Sequence, residues 1–165
     1  MPPLEWFRIL YERDTVQRQS ILFDMQLFRS WIPAFAWMAL IFIASTDLMS
    51  AQHTSRFIGP FLQWLRPDIS PEAVAAVELA VRKTAHVTEY AILAVLLTRA
   101  FRVSFEVRPL GLAVRVIAVC ACCAALDEFH QTFVASRTAS PVDVMIDVCG
   151  VMVGLVAYQV LFRRK

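Results

Sequence analysis

The chain has 165 residues, of which 58% are hydrophobic, with 16 Lys and Arg against 14 Asp and Glu for a formal net charge of +2. Its mean hydropathy is +0.57. Ordinary soluble domains use about 45–50% apolar residues, so this composition argues against a water-soluble fold and for a membrane protein. A charge of +2 is too small to point to nucleic acid.

The N-terminal MPPLEWFRILYERD lacks the basic start, apolar core and small-residue cleavage site of a secretory signal, so none is expected. Residues 1–30 place Trp6, Phe7, Leu10, Ile21, Leu22, Phe23, Leu27 and Phe28 among charges at near-helical intervals. They are expected to form an amphipathic interfacial helix, or a soluble tail that packs on a partner. A helix crosses a hydrocarbon core of about 30 Å with about 20 apolar residues, and four stretches qualify by eye: residues 31–48, 85–101, 110–126 and 142–162.

Residues 50–68 gather Phe57, Ile58, Phe61, Leu62, Trp64 and Leu65 around a Gly59-Pro60 break, which reads as an interfacial or re-entrant segment. Ser70-Pro71-Glu72 then supplies an N-cap, a first-turn proline and a first-turn acid. The helix that follows, to about Phe101, is too long for a membrane, so its first turns stand outside. Pro109 opens the next helix, which ends near Phe133, and Ser140-Pro141 caps the last. The expectation is an all-α fold, an integral membrane bundle of about four transmembrane helices with an N-terminal amphipathic helix; residues 1–30 form the interfacial segment and residues 31–165 the transmembrane domain.

Cytoplasmic loops carry an excess of Lys and Arg. With the N-terminus inside, the inner segments hold Arg8, Arg13, Arg18, Arg29, Arg99, Arg102, Arg108, Arg115, Arg163, Arg164 and Lys165, and the outer ones only Arg56, Arg66, Arg82, Lys83 and Arg137. The expected location is a bacterial cytoplasmic membrane with both termini in the cytoplasm. Cys120, Cys122, Cys123 and Cys149 fall inside apolar segments at spacings that match no zinc pattern, and read as packing residues.

Ionisable residues inside membrane segments are costly, which makes them functional candidates. Lys83, His86, Glu89 and Tyr90 follow at steps of three, three and one. Asp127 and Gln131 are four apart, with Glu128 and His130 beside them. Asp143, Asp147, Gly150 and Gly154 share one face of the last helix. Alternating helix directions bring the start of the second crossing, the end of the third and the start of the fourth to one end, so these residues describe a cavity expected to open outward.

Simpler roles exist for several. Asp143 stands at the capping-box position after Ser140, Lys83 and Arg82 can snorkel, and His130 can be a water-facing helix end. Glu89 and Asp147 have no cap to serve and fit best in a shared polar site. Gly150 and Gly154 form a small-xxx-small face suited to close helix contact.

KTAHVTEY at residues 83–90 and DEFHQTFVASRTASPVDVMIDVCGVMVG at residues 127–154 resemble the VanZ-like family, named for a glycopeptide (teicoplanin) resistance protein, over about residues 31–162. Ser45-Thr46 fits where that family tends to place small hydroxyl residues. The family commonly has Asn where this chain has Asp147, and Pro-Gly where it has Ala135-Ser136. The resemblance implies a cell-envelope role.

Three readings stay open. An enzyme acting on an envelope lipid or wall precursor would use His86, Glu89, Asp127, Glu128 and Asp147 as acid/base groups or ligands to a divalent cation. Lys83 and Arg137 would hold a phosphate, with Gln131 and Asp143 completing the substrate site. A proton- or ion-linked binding or transport module would use the same acids, as a homo-oligomer given its few crossings. A structural network would hold three helices in register. The expected partners are membrane lipids, polyprenyl-linked or phospholipid.

Overall fold

A computed structural model describes residues 3–46, 51–135 and 139–162, and these are helical apart from short connections. The helices are α1 (Pro3–Ala44), α2 (Ala51–Leu65), α3 (Pro71–Ser104), α4 (Pro109–Gln131) and α5 (Pro141–Phe162). Ser70 caps α3 as expected: its hydroxyl accepts from the Ala73 N–H at 3.2 Å, with Pro71 in the first turn. Ahead of the spanning part, the Glu72 carboxyl is held below the usual carboxylate range by its own backbone N–H and the Ser70 hydroxyl.

The N-terminal expectation needs correction. Residues 1–30 do not form an element of their own; α1 runs unbroken from Pro3 through Pro33 to Ala44. Within it Ser30 donates its hydroxyl to the Leu27 carbonyl at 2.7 Å, a backward bond that leaves the helix continuous. Nothing between Leu27 and Ala34 ends a helix. At 1.5 Å per residue α1 is roughly 60 Å long. From Trp6 to Arg29 its described side chains are exposed apart from Thr15 and Leu27, which are half-buried.

A second correction concerns Gly59-Pro60. Rather than breaking the segment, both lie inside one continuous helix, α2. It rests on α3, with Gly59 buried and the Ser55 hydroxyl donating to Glu78 at 2.8 Å. Phe57, Phe61, Trp64 and Leu65, spaced along one face, remain exposed.

Helix α3 is the hub, in contact with each of the other four. Its Tyr90, Leu93, Ala94 and Leu97 form the middle of a core completed by Ala34 and Ile41 of α1, Val116, Cys120 and Ala124 of α4, and Val151 and Leu155 of α5. Trp31 ties α1 to the far end of α3, donating to the Ser104 hydroxyl at 2.8 Å and meeting Phe101 edge-on. Trp37 donates to the Glu89 carbonyl at 2.9 Å, midway along the same interface.

Helices α3 and α5 run parallel and touch backbone to backbone. A Cβ on Gly150 would lie 2.5 Å from the Val87 carbonyl oxygen, and one on Gly154 would lie 2.9 Å from the Ala91 carbonyl carbon. The glycine face of α5 is therefore what lets the pair close.

Among the described residues three helices, α1, α4 and α5, are long and apolar enough to cross a membrane. The fourth expected crossing, in α3, falls short on apolarity because that helix carries the polar residues of the bundle's interior. The exterior is the reverse: Val114, Leu126, Phe129, Met145, Val153 and Val156 point away from the protein. Apolar outside and polar inside is the arrangement of a protein dissolved in lipid.

Candidate functional site

Most of the residues singled out from sequence meet at one end of the bundle, where α1 and α4 finish and α3 and α5 begin. They do not form a single group. Among the described side chains they divide into a clamp between α3 and α5 and the lining of a cavity on the opposite side of α3.

The clamp consists of two cross-helix pairs. Lys83 bonds Asp143, and His86 Nδ1 lies 3.0 Å from Asp147 Oδ1. Asp147 is fully buried. A carboxylate there needs a donor, and the neighbouring turn of α3 supplies it. The capping role considered for Asp143 falls elsewhere: the Ser140 N–H donates to Glu128 Oε2 of α4 at 2.6 Å, while the Ser140 hydroxyl accepts from the Val142 N–H at 3.2 Å. Asp143 is thus free to face Lys83, and Lys83 is paired rather than snorkelling.

The cavity has a volume of about 370 Å³ and lies among α1, α2, α3 and α4. Its polar lining is Ser45, Ser55, Glu78, Arg82, His86, Glu89, Asp127 and Gln131; Ile41, Ile58, Leu79, Val81 and three alanines supply the apolar part. His86 belongs to both groups, with its ring bonded to Asp147 and its edge on the cavity. Gln131 Nε2 donates to Asp127 Oδ2 at 3.0 Å, the one-turn pair within α4 that the spacing suggested. Asp127 Oδ1 and the Ser45 hydroxyl, both buried, have no hydrogen-bond partner among the described residues, and the same holds for Tyr90 OH, Glu128 Oε1, His130 Nδ1 and Asp147 Oδ2.

An apolar groove of about 450 Å³ adjoins the cavity. Met38, Phe42, Tyr90, Leu93 and Leu126 line it, and it shares Ile41 and Asp127 with the cavity. His130 is half-buried, its ring 4.4 Å from that of Phe42, so it packs instead of facing water.

A family model described as VanZ/LLP1 matches residues 28–163. The chain belongs to the VanZ/LLP1 family. Neither the curated proteins nor the solved structures contain a match to it. The matched span of this VanZ/LLP1 chain takes in both clamp and cavity.

Sequence reasoning did not single out Glu78 or Ser55. The only local sign was an acid one turn before Arg82, and nothing in residues 50–68 showed that α2 would bring Ser55 onto it. Arg137, expected to hold a phosphate, lies outside the described residues. Among the described residues no three His, Cys, Asp or Glu side chains come together as metal ligands. The four cysteines are free thiols, Cys120 in the core and Cys122 and Cys149 on the exposed face.

Proposed function

We propose that this protein binds an envelope lipid, or the lipid-linked end of a wall precursor, drawn from the outer leaflet into the cavity among α1, α2, α3 and α4. The observation that carries this reading is the adjoining pair of spaces: a cavity with Asp127 and Gln131 in its lining, beside an apolar groove with which it shares Ile41 and Asp127. Ligand sites are typically about 300–1,000 Å³, mostly apolar, with a few converging polar groups. Lipids have the matching division between head and chain.

Outward orientation is supported by the basic residues. By sequence the cavity end carries Arg56, Arg66, Arg82, Lys83 and Arg137, whereas the other end carries Arg99, Arg102, Arg108 and Arg115 together with Arg8, Arg13, Arg18 and Arg29 of the N-terminal part and Arg163, Arg164 and Lys165 of the C-terminal part. In this reading α3 crosses as a fourth span, shielded by its neighbours, in a bacterial cytoplasmic membrane. Its role is then envelope homeostasis or glycopeptide (teicoplanin) resistance, as the family resemblance suggests.

The structural reading accounts for Lys83, His86, Asp143 and Asp147, whose pairs hold α3 to α5. It gives no role to the partnerless Asp127 Oδ1. The test is purification with native lipids, detergent exchange and mass spectrometry of what remains. Stoichiometric retained lipid, depleted when Ala39→Trp fills the groove, supports binding. Lipid content no greater than that of an unrelated membrane protein treated alike rejects it.

A further inference from the structure

The head group can be specified further, on the footing of the lipid-binding reading. We infer that the cavity takes the head of a phospholipid carrying a primary ammonium, with the ammonium at Asp127 and Ser45, the phosphate toward Arg82, and an acyl chain in the groove beside Phe42.

The first argument is the pattern of partnerless atoms. Asp127 is only 6% exposed and Ser45 only 4%, and both line the cavity. Asp127 Oδ2 is taken by Gln131, which leaves Oδ1 without a donor among the described residues; the Ser45 oxygen is in the same position. Tyr90 OH, fully buried, borders the groove on the other side of Asp127. Leaving such groups unmade is expensive in a dry interior. A primary ammonium brings three N–H donors on one small charged centre, which suits acceptors converging from two helices.

The second argument is charge. Apart from Glu89, which has its own partner, the described lining holds two carboxylates, Glu78 and Asp127, and one guanidinium, Arg82. Lys83 is engaged with Asp143, and His86 with Asp147. A head group that is phosphate alone would add negative charge to this lining, whereas an ammonium next to a phosphate matches it end for end. Arg82 sits about 6–12 Å along α3 from the turns of His86 and Tyr90, toward the end of the bundle. Its long fork can therefore meet a phosphate one linker away from the ammonium.

The third argument is direction. On α1 the groove runs from Phe42 back to Met38, about 6 Å deeper in the bundle, and Leu93 lies one turn deeper than Tyr90 on α3. A chain entering there runs from the head toward the middle of the membrane, as it does in a leaflet.

The experiment is native mass spectrometry of the full chain in detergent. It is offered, at equal mole fraction, phosphatidylethanolamine, phosphatidylglycerol, phosphatidylcholine and a polyprenyl phosphate. Phosphatidylethanolamine is expected to exceed phosphatidylglycerol by at least roughly tenfold, the scale of one charge-assisted hydrogen bond. Phosphatidylcholine, which keeps the charge but has no N–H to donate, falls between. Asp127→Asn collapses the ranking while gel filtration and melting stay native, since Asn still accepts from Gln131. Should that variant fail to fold, the ranking on the unaltered protein decides alone. Preferential retention of phosphatidylglycerol or polyprenyl phosphate, or equal retention of phosphatidylcholine, overturns the ammonium assignment and leaves lipid binding standing. Absence of any lipid adduct overturns both.

Discussion

Gly150→Ala offers a sharp test of how α3 and α5 are held together. The added Cβ would stand 2.5 Å from the Val87 carbonyl oxygen and 3.0 Å from its Cα, and both are backbone atoms that no rotamer change can move. Restoring ordinary contact requires the helices to part locally by roughly 1 Å. Overpacking of this sort costs about 1–3 kcal/mol. The same movement stretches the His86–Asp147 contact from 3.0 Å to beyond hydrogen-bond range. A fully buried Asp147 left without its donor adds about 1–3 kcal/mol. Alanine recovers about 1 kcal/mol through helix propensity, so the net loss is about 1–5 kcal/mol. At about 2–4 °C per kcal/mol for a chain of this length, melting in detergent falls by about 2–20 °C. Gly111→Ala is the control, because nothing lies within 4 Å of its Cβ, and it should melt at or slightly above the unaltered protein. If Gly150→Ala melts level with Gly111→Ala, the backbone contact between α3 and α5 is not what holds the pair.

Lys83→Met leaves Asp143 without its cation, and melting should show a loss of about 1–3 kcal/mol that Lys83→Met/Asp143→Leu largely restores; additive losses in that cycle would mean the pair does not couple. Glu128→Ala removes the acceptor for the Ser140 N–H. The start of α5 should then lose about 1 kcal/mol of protection in hydrogen exchange, with the α3 amides unchanged. Trp37→Phe keeps most of the packing but deletes the donor to the Glu89 carbonyl, so a stability loss of about 1 kcal/mol is expected, and no change in a denaturant melt would show that this bond contributes nothing net.

The sequence by itself determined the class of solvent, the helices and most of their ends. Apolar content calls for lipid, and Ser70-Pro71 and Ser140-Pro141 start α3 and α5 where their caps place them, because capping is a contact between residues three or fewer apart. Antiparallel succession was enough to bring the polar stretches of α3, α4 and α5 to one end. Local spacing, however, is silent about azimuth. Steps of three residues fall about 60° short of a full turn, so Lys83 and Glu89, two such steps apart, differ by about 120° and face different neighbours. What read as one stripe is a clamp on one side of α3 and a cavity on the other. Ser30 could cap a helix or bond backward, and packing around Trp31 accompanies the second choice, which merges two expected elements into α1. The pairing of Lys83 with Asp143, the arrival of Ser55 beside Glu78, and the partnerless Asp127 Oδ1 all join residues far apart in the chain. Only the tertiary structure could decide them, since the energy of a buried polar group depends on which neighbour reaches it and not on where it stands in the sequence.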